Sequence, residues 1–107
     1  MGYRLEISEI KYKVCGGKLY GYSDEKQLKS YKYLVEKGYL DGDEYFSYGY
    51  NPSILLRADE FKEFIKLYNE DYNEKRQLDG ENKDCIINDQ YIKELLESDE
   101  RKLLEWY

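Results

Sequence analysis

Asp41-Gly42-Asp43-Glu44 gathers three carboxylates within four residues, the kind of oxygen-rich run that can surround a hard cation. An EF-hand loop begun at Asp41 needs an oxygen ligand at its fifth position and a bidentate glutamate at its twelfth, where the chain has Tyr45 and Pro52. An Asp-Gly turn with no metal is therefore the expectation. Cys15-Gly16-Gly17-Lys18 has the glycines and lysine of a phosphate loop without its spacing or its Lys-Ser/Thr pair, and a hairpin turn accounts for it. Lys18 would lower the pKa of the Cys15 thiol, but nothing supplies a base beside it. With no histidine in 107 residues, Ser-His-Asp and Cys-His sets cannot form and histidine metal ligands are excluded. No catalytic residue, cofactor site or metal site is assigned.

Two constellations remain, and both suit binding. Lys11, Lys13 and Lys18 with Tyr12, Tyr20 and Tyr22 fall on neighbouring segments of the expected hairpin, where a basic aromatic face could grip a nucleotide or stack bases. Strand alternation turns Tyr12 inward and splits that set. Along the second half, Glu60, Glu63, Glu70 and Asp71 occupy helix positions away from the apolar stripe, and Asp89, Glu94 and Glu97 extend the acid toward the C-terminus. Such a strip solubilises a domain, or presents carboxylates where a partner's lysines and arginines expect phosphate.

The elements that must position these residues are partly legible. Tyr3, Leu5 and Ile7 alternate, and Ile10, Tyr12 and Val14 resume the pattern if a bulge near Ser8-Glu9 shifts the phase. Gly16-Gly17 then turns a hairpin whose second strand runs from Lys18 to Tyr22. Ser23 can cap a helix from Asp24 to Lys37 that buries Leu28, Tyr31 and Val35 and stops at Gly38. Phe46, Tyr48 and Tyr50 suggest a third strand and Ser53 to Arg57 a fourth. From Ala58, Phe61, Ile65, Tyr68 and Tyr72 recur at helical spacing, the clearest helix in the chain. Residues 73–84 read as a polar loop and Cys85-Ile86-Ile87 as a short strand. Asn88 caps a C-terminal helical segment, in which Leu103, Leu104 and Trp106 either continue one long helix or follow a new cap at Ser98.

The whole is expected to be one α+β domain, residues 1–107, with a small, mainly antiparallel sheet made of the N-terminal hairpin plus one or two further strands. Two helices pack it, and a C-terminal helical segment follows. Cys15 and Cys85 lie far apart without CxxC spacing, the longest apolar run is Ile54-Leu55-Leu56, and no secretory leader is recognisable. A reduced cytoplasmic protein with no membrane partner is the expectation.

Fourteen tyrosines supply rigid contact area with a polar tip, a composition favoured in recognition surfaces. Tyr20, Tyr22, Tyr45, Tyr48 and Tyr50 lie in expected strands and are the contact candidates, with Glu60, Glu63, Glu70 and Asp71 as the acids that steer a partner. The charge is uneven: residues 1–40 carry eight Lys/Arg against five Asp/Glu, and residues 41–107 nine against eighteen, for a net of -6. An acidic chain repels nucleic acid, so the expected partner is a protein with a basic surface, such as a member of a nucleic-acid-binding complex.

The lone alanine, Ala58, the single proline and the heavy use of Lys, Tyr, Asn, Glu and Ile, together with size and acidity, make the chain resemble small proteins encoded by phages and mobile elements, anti-CRISPR inhibitors among them. That resemblance implies a noncatalytic inhibitor that covers a basic surface of its target. The alternative is a small-ligand or nucleotide-binding domain that uses the Lys/Tyr sheet face.

Overall fold

In the computed structural model, which describes residues 4–8, 13–15, 19–46, 52–76 and 92–106, β1 (Leu5–Ser8) pairs antiparallel with β2 (Lys13–Cys15), Ser8 standing opposite Lys13. Alternation alone joins these two segments into one bulged strand, whereas they lie beside each other as antiparallel neighbours. Gly16-Gly17 and Lys18 lie outside the described residues, and of the return strand expected over Lys18 to Tyr22 residues 19–22 show an isolated bridge at Tyr20.

A single 3-10 turn, Glu25–Gln27, precedes α1 (Lys29–Glu36). The helix starts later than Ser23 predicts because Leu28 is extended, at φ -69° and ψ 140°, and serves as the N-cap. Its buried face carries Tyr31 and Leu34, with Val35 half-buried. Gly38 ends it at φ +86°, a left-handed angle that glycine adopts without steric cost, and its amide donates to the Val35 carbonyl at 3.0 Å. The expected third strand is not seen where it can be checked: Tyr45 and Phe46 are irregular, and residues 47–51 lie outside the described residues.

β3 (Ser53–Leu56) and α2 (Ala58–Asp71) form where the sequence places them. Phe61, Ile65, Tyr68 and Tyr72 are all buried, as the spacing requires. A wider π turn, Tyr72–Arg76, prolongs α2, and α3 spans Ile92–Glu97. The Cys85-Ile86-Ile87 segment lies outside the described residues.

The largest difference is at the C-terminus. Leu103, Leu104 and Trp106 do not extend the helix: Lys102–Trp106 is β4, which inserts between β1 and β3 to give the sheet order β2-β1-β4-β3, every pair antiparallel. Leu104 stands between Ile7 and Ile54, and Trp106 opposite Leu5. The helical phase failed because the inward partner of Leu104 and Trp106 is a lysine. Lys102, fully buried, sends its ammonium to the Ser98 carbonyl at 3.3 Å and to the Glu100 carbonyl, with the Phe61 ring 5.5 Å away. Its alkyl stem counts as apolar and its head answers the carbonyls of the turn that follows α3.

The result is an α+β domain in which the helices cover the inward face of the sheet. Tyr20 is the hub of the core, stacked on Trp106 at 5.4 Å and edge-on to Phe46 at 5.0 Å; Phe64 of α2 meets Trp106 edge-on at 6.3 Å. Among the described residues no helix is long and apolar enough to cross a membrane.

Candidate protein-binding surface

Two carboxylates that the sequence offers to a partner are used inside the molecule. Asp71, fully buried at the end of α2, accepts from the Lys29 amide at 2.7 Å and from the Ser30 amide and hydroxyl at 2.8 and 2.6 Å. It therefore caps α1 from a distance of 41 positions, supplying negative charge where the helix dipole is positive and Leu28 has no polar side chain. The network continues to Tyr20, whose hydroxyl lies 2.6 Å from the Ser30 hydroxyl. Burial, ahead of nearby negative charge, pushes the Tyr20 phenol well above its ordinary pKa and keeps it neutral.

Glu60 caps α2. Its carboxylate accepts from the Arg57 amide at 3.1 Å and from the Tyr39 hydroxyl at 2.6 Å. Burial pushes its pKa up, but the Tyr39 hydroxyl, the Arg57 amide and the Arg57 guanidinium outweigh that and hold it below the ordinary glutamate value. Tyr20, Glu60 and Asp71 are thus buried and hydrogen-bonded within the fold. Their hydrogen-bonding needs are met within the fold. Of the remaining helix acids, Glu63 is half-buried, and Glu70, also half-buried, pairs with the Lys29 ammonium at 3.3 Å alongside Glu74. Tyr48 and Tyr50 lie outside the described residues.

Tyr22 and Tyr45 come together, and buried polar groups hold them in place. The Glu25 carboxylate, enclosed in the fold, accepts from the Gly21 amide through one oxygen and from the Phe46 amide through the other, both at 2.8 Å. It ties the turn before α1 to the segment that carries Tyr45. Burial raises its pKa; the Phe46 and Gly21 amides and the Lys26 charge oppose the rise without cancelling it. The Tyr31 hydroxyl pins the same segment by donating to the Glu44 carbonyl at 2.8 Å. Asp41 shapes the turn by accepting the Asp43 amide at 2.9 Å.

Two open grooves result. One, of about 320 Å³, is lined by Gly21, Tyr22, Ser23, Glu25, Tyr45 and Phe46. The other, of about 260 Å³, is lined by Lys26, Tyr31, Lys32, Val35, Glu36 and Gly42. Lys26 belongs to the second and lies 4.0 Å from the ring centroid of Tyr45, which belongs to the first, so this pair forms a ridge between them. Tyr45 is 48% exposed, and Asp41, Asp43 and Glu44 beside it are exposed too.

The acids bordering the exposed tyrosine are therefore those of the 41–44 turn. The sequence reads that run as a metal loop or, preferably, as an Asp-Gly turn, and its adjacency to Tyr45 is the signal for contact that this reading leaves unused. No group of three or more metal-ligating side chains occurs among the described residues. Of the basic aromatic sheet face, Tyr20 is in the core and Tyr22 on a turn, while Lys11, Tyr12 and Lys18 lie outside the described residues. Comparison with known proteins gives no counterpart, since no family model, no curated protein and no solved structure matches the chain.

Proposed function

We propose that this chain is a noncatalytic protein-binding module that docks on a basic surface of its partner, in the manner of phage inhibitors of the anti-CRISPR type, and that it works in a cytoplasm. The observation that carries the reading is Tyr45: a large ring, half exposed, on a turn fixed by Glu25 and Tyr31, with Asp43 and Glu44 immediately before it. Exposed rings on rigid supports bind at low entropic cost, and bordering acids steer a cationic partner toward them.

The test is capture of a partner by tagged wild-type protein and by two variants, Tyr45→Ala and Asp43→Lys/Glu44→Lys. The expected partner has a basic contact surface, and both variants should weaken its capture at least tenfold, as loss of a central anchor does. Glu63→Lys/Glu70→Lys should weaken it less. Equal capture by all four proteins would refute the reading.

A further inference from the structure

We infer that the Tyr22–Tyr45 groove is a subsite for the guanidinium of an arginine on the partner protein. The inference rests on the reading of this face as a protein-binding surface and names the side chain it takes. Three aromatic residues, Tyr22, Tyr45 and Phe46, line the groove together with Glu25. Aromatic faces attract cations through their quadrupole, most strongly where water is excluded. The carboxylate beneath is enclosed in the fold, so its charge is less screened than that of a surface acid.

A second observation shows that the ring accepts a cation. The Lys26 ammonium sits 4.0 Å from the Tyr45 centroid. Lys26 lines the neighbouring groove and not this one, so Tyr45 borders the Glu25 groove with a part of its ring distinct from the lysine's side. Among the described residues, Asp24 and Lys26 lie beside Glu25 on the turn before α1, and the exposed Asp43 and Glu44 immediately precede Tyr45. Among these described residues, Glu25 with the exposed Asp43 and Glu44 outnumber Lys26, a balance that favours a cationic occupant. A guanidinium suits the groove better than an ammonium because it is planar, stacks on aromatic faces and is more weakly hydrated. The charge of Glu25 supports the same conclusion: burial raises its pKa, and an incoming cation would relieve that by favouring the ionised form.

The probe is N-acetyl-arginine amide titrated into the full chain, with N-acetyl-norleucine amide as the neutral control. Ring resonances of Tyr22 and Tyr45 and the Glu25 carboxyl carbon are followed by NMR. The arginine probe should shift both rings with half-saturation on the order of 10 mM, a plausible strength for one side chain. It should also lower the Glu25 pKa, and Tyr45→Leu should weaken it about tenfold. Lys26→Met should leave the probe bound at least as tightly. Equal shifts with norleucine, no shift at 100 mM order concentrations, or weaker binding in Lys26→Met would each overturn the assignment. Capture of a basic partner that depends on Tyr45, without any response to the arginine probe, removes the guanidinium subsite and leaves the binding surface standing. The reverse pattern keeps the subsite and removes the partner reading.

Discussion

Replacing Asp71 by alanine should be among the most damaging single changes to this fold, although no local sequence signal marks the residue. The carboxylate accepts three hydrogen bonds at 2.6 to 2.8 Å, two from the first amides of α1 and one from the Ser30 hydroxyl. Loss of a charge at a helix N-terminus costs about 1 kcal/mol. Two amides left without an acceptor, one buried and one partly so, add about 2 kcal/mol. The sum, about 3 kcal/mol, is a large share of the roughly 5–15 kcal/mol that holds a domain of this size together. Ser30 keeps its contact with Tyr20, so its hydroxyl adds little to the loss. The assay is urea unfolding followed by the fluorescence of Trp106, the single tryptophan, which is buried against Tyr20. With a urea slope of about 1–3 kcal/mol/M, the midpoint should fall by roughly 1 M or more. Asp71→Asn, which retains one acceptor oxygen but faces the other amide with an NH2 group, should lose about 2 kcal/mol. If Asp71→Ala unfolds within about 0.5 kcal/mol of wild type, a scatter typical of neutral surface changes, the capping argument is wrong.

Two glutamates should give opposite pH dependences. Glu60, whose folded pKa lies below its unfolded value, contributes stability that is present above the unfolded glutamate pKa of about 4.3 and is lost as pH falls through the lower folded value. Glu25, whose folded pKa is raised, contributes stability that is full below about 4.3 and is lost as pH rises through the raised value. Melting temperatures from pH 7 to pH 3 for wild type, Glu60→Gln and Glu25→Gln test both signs; parallel curves for all three proteins would contradict them. Lys102→Met keeps the stem but leaves the Ser98 and Glu100 carbonyls without the ammonium, and should cost about 1–3 kcal/mol. An unchanged urea midpoint would show that the ammonium does not hold the turn into β4.

How far the sequence discloses this fold depends on how local each determinant is. The stripe of α2 is read off directly because Phe61, Ile65, Tyr68 and Tyr72 bury one face of one element. The strand β4 is hidden because its period-2 pattern runs Lys102, Leu104, Trp106, and a buried lysine scores as polar. The pairing of β1 with β2 is missed for a related reason: alternation has no direction, so the residues before Ser8 and those after Lys13 look alike whether they continue one strand or oppose each other. Candidate contact residues are least legible of all. Asp71 and Glu60 match an exposed acidic strip by helical phase, and only the positions of Ser30 and Tyr39 reveal that each is consumed by a cap. The meeting of Tyr22 with Tyr45 depends on Glu25 bridging two segments 21 positions apart, information that no window on the sequence contains.

Three of the fourteen tyrosines take part in the same kind of bridging. A phenylalanine in place of Tyr20, Tyr31 or Tyr39 would supply the ring but not the hydroxyl that reaches Ser30, the Glu44 carbonyl or Glu60. Each hydroxyl ties an irregular segment or a second helix to α1 or its flanks, so in these positions tyrosine is a packing residue and a tether at once. Tyr45 has a different relation to the fold. It is the one tyrosine among the large apolar side chains exposed in the described residues, and the tethers from Tyr31 and Glu25 end on its immediate neighbours, Glu44 and Phe46. Those buried bonds restrict the backbone on both sides of an exposed ring. A ring held in this way loses little freedom on binding, which is the physical reason to place the contact surface there and not along the acidic helices.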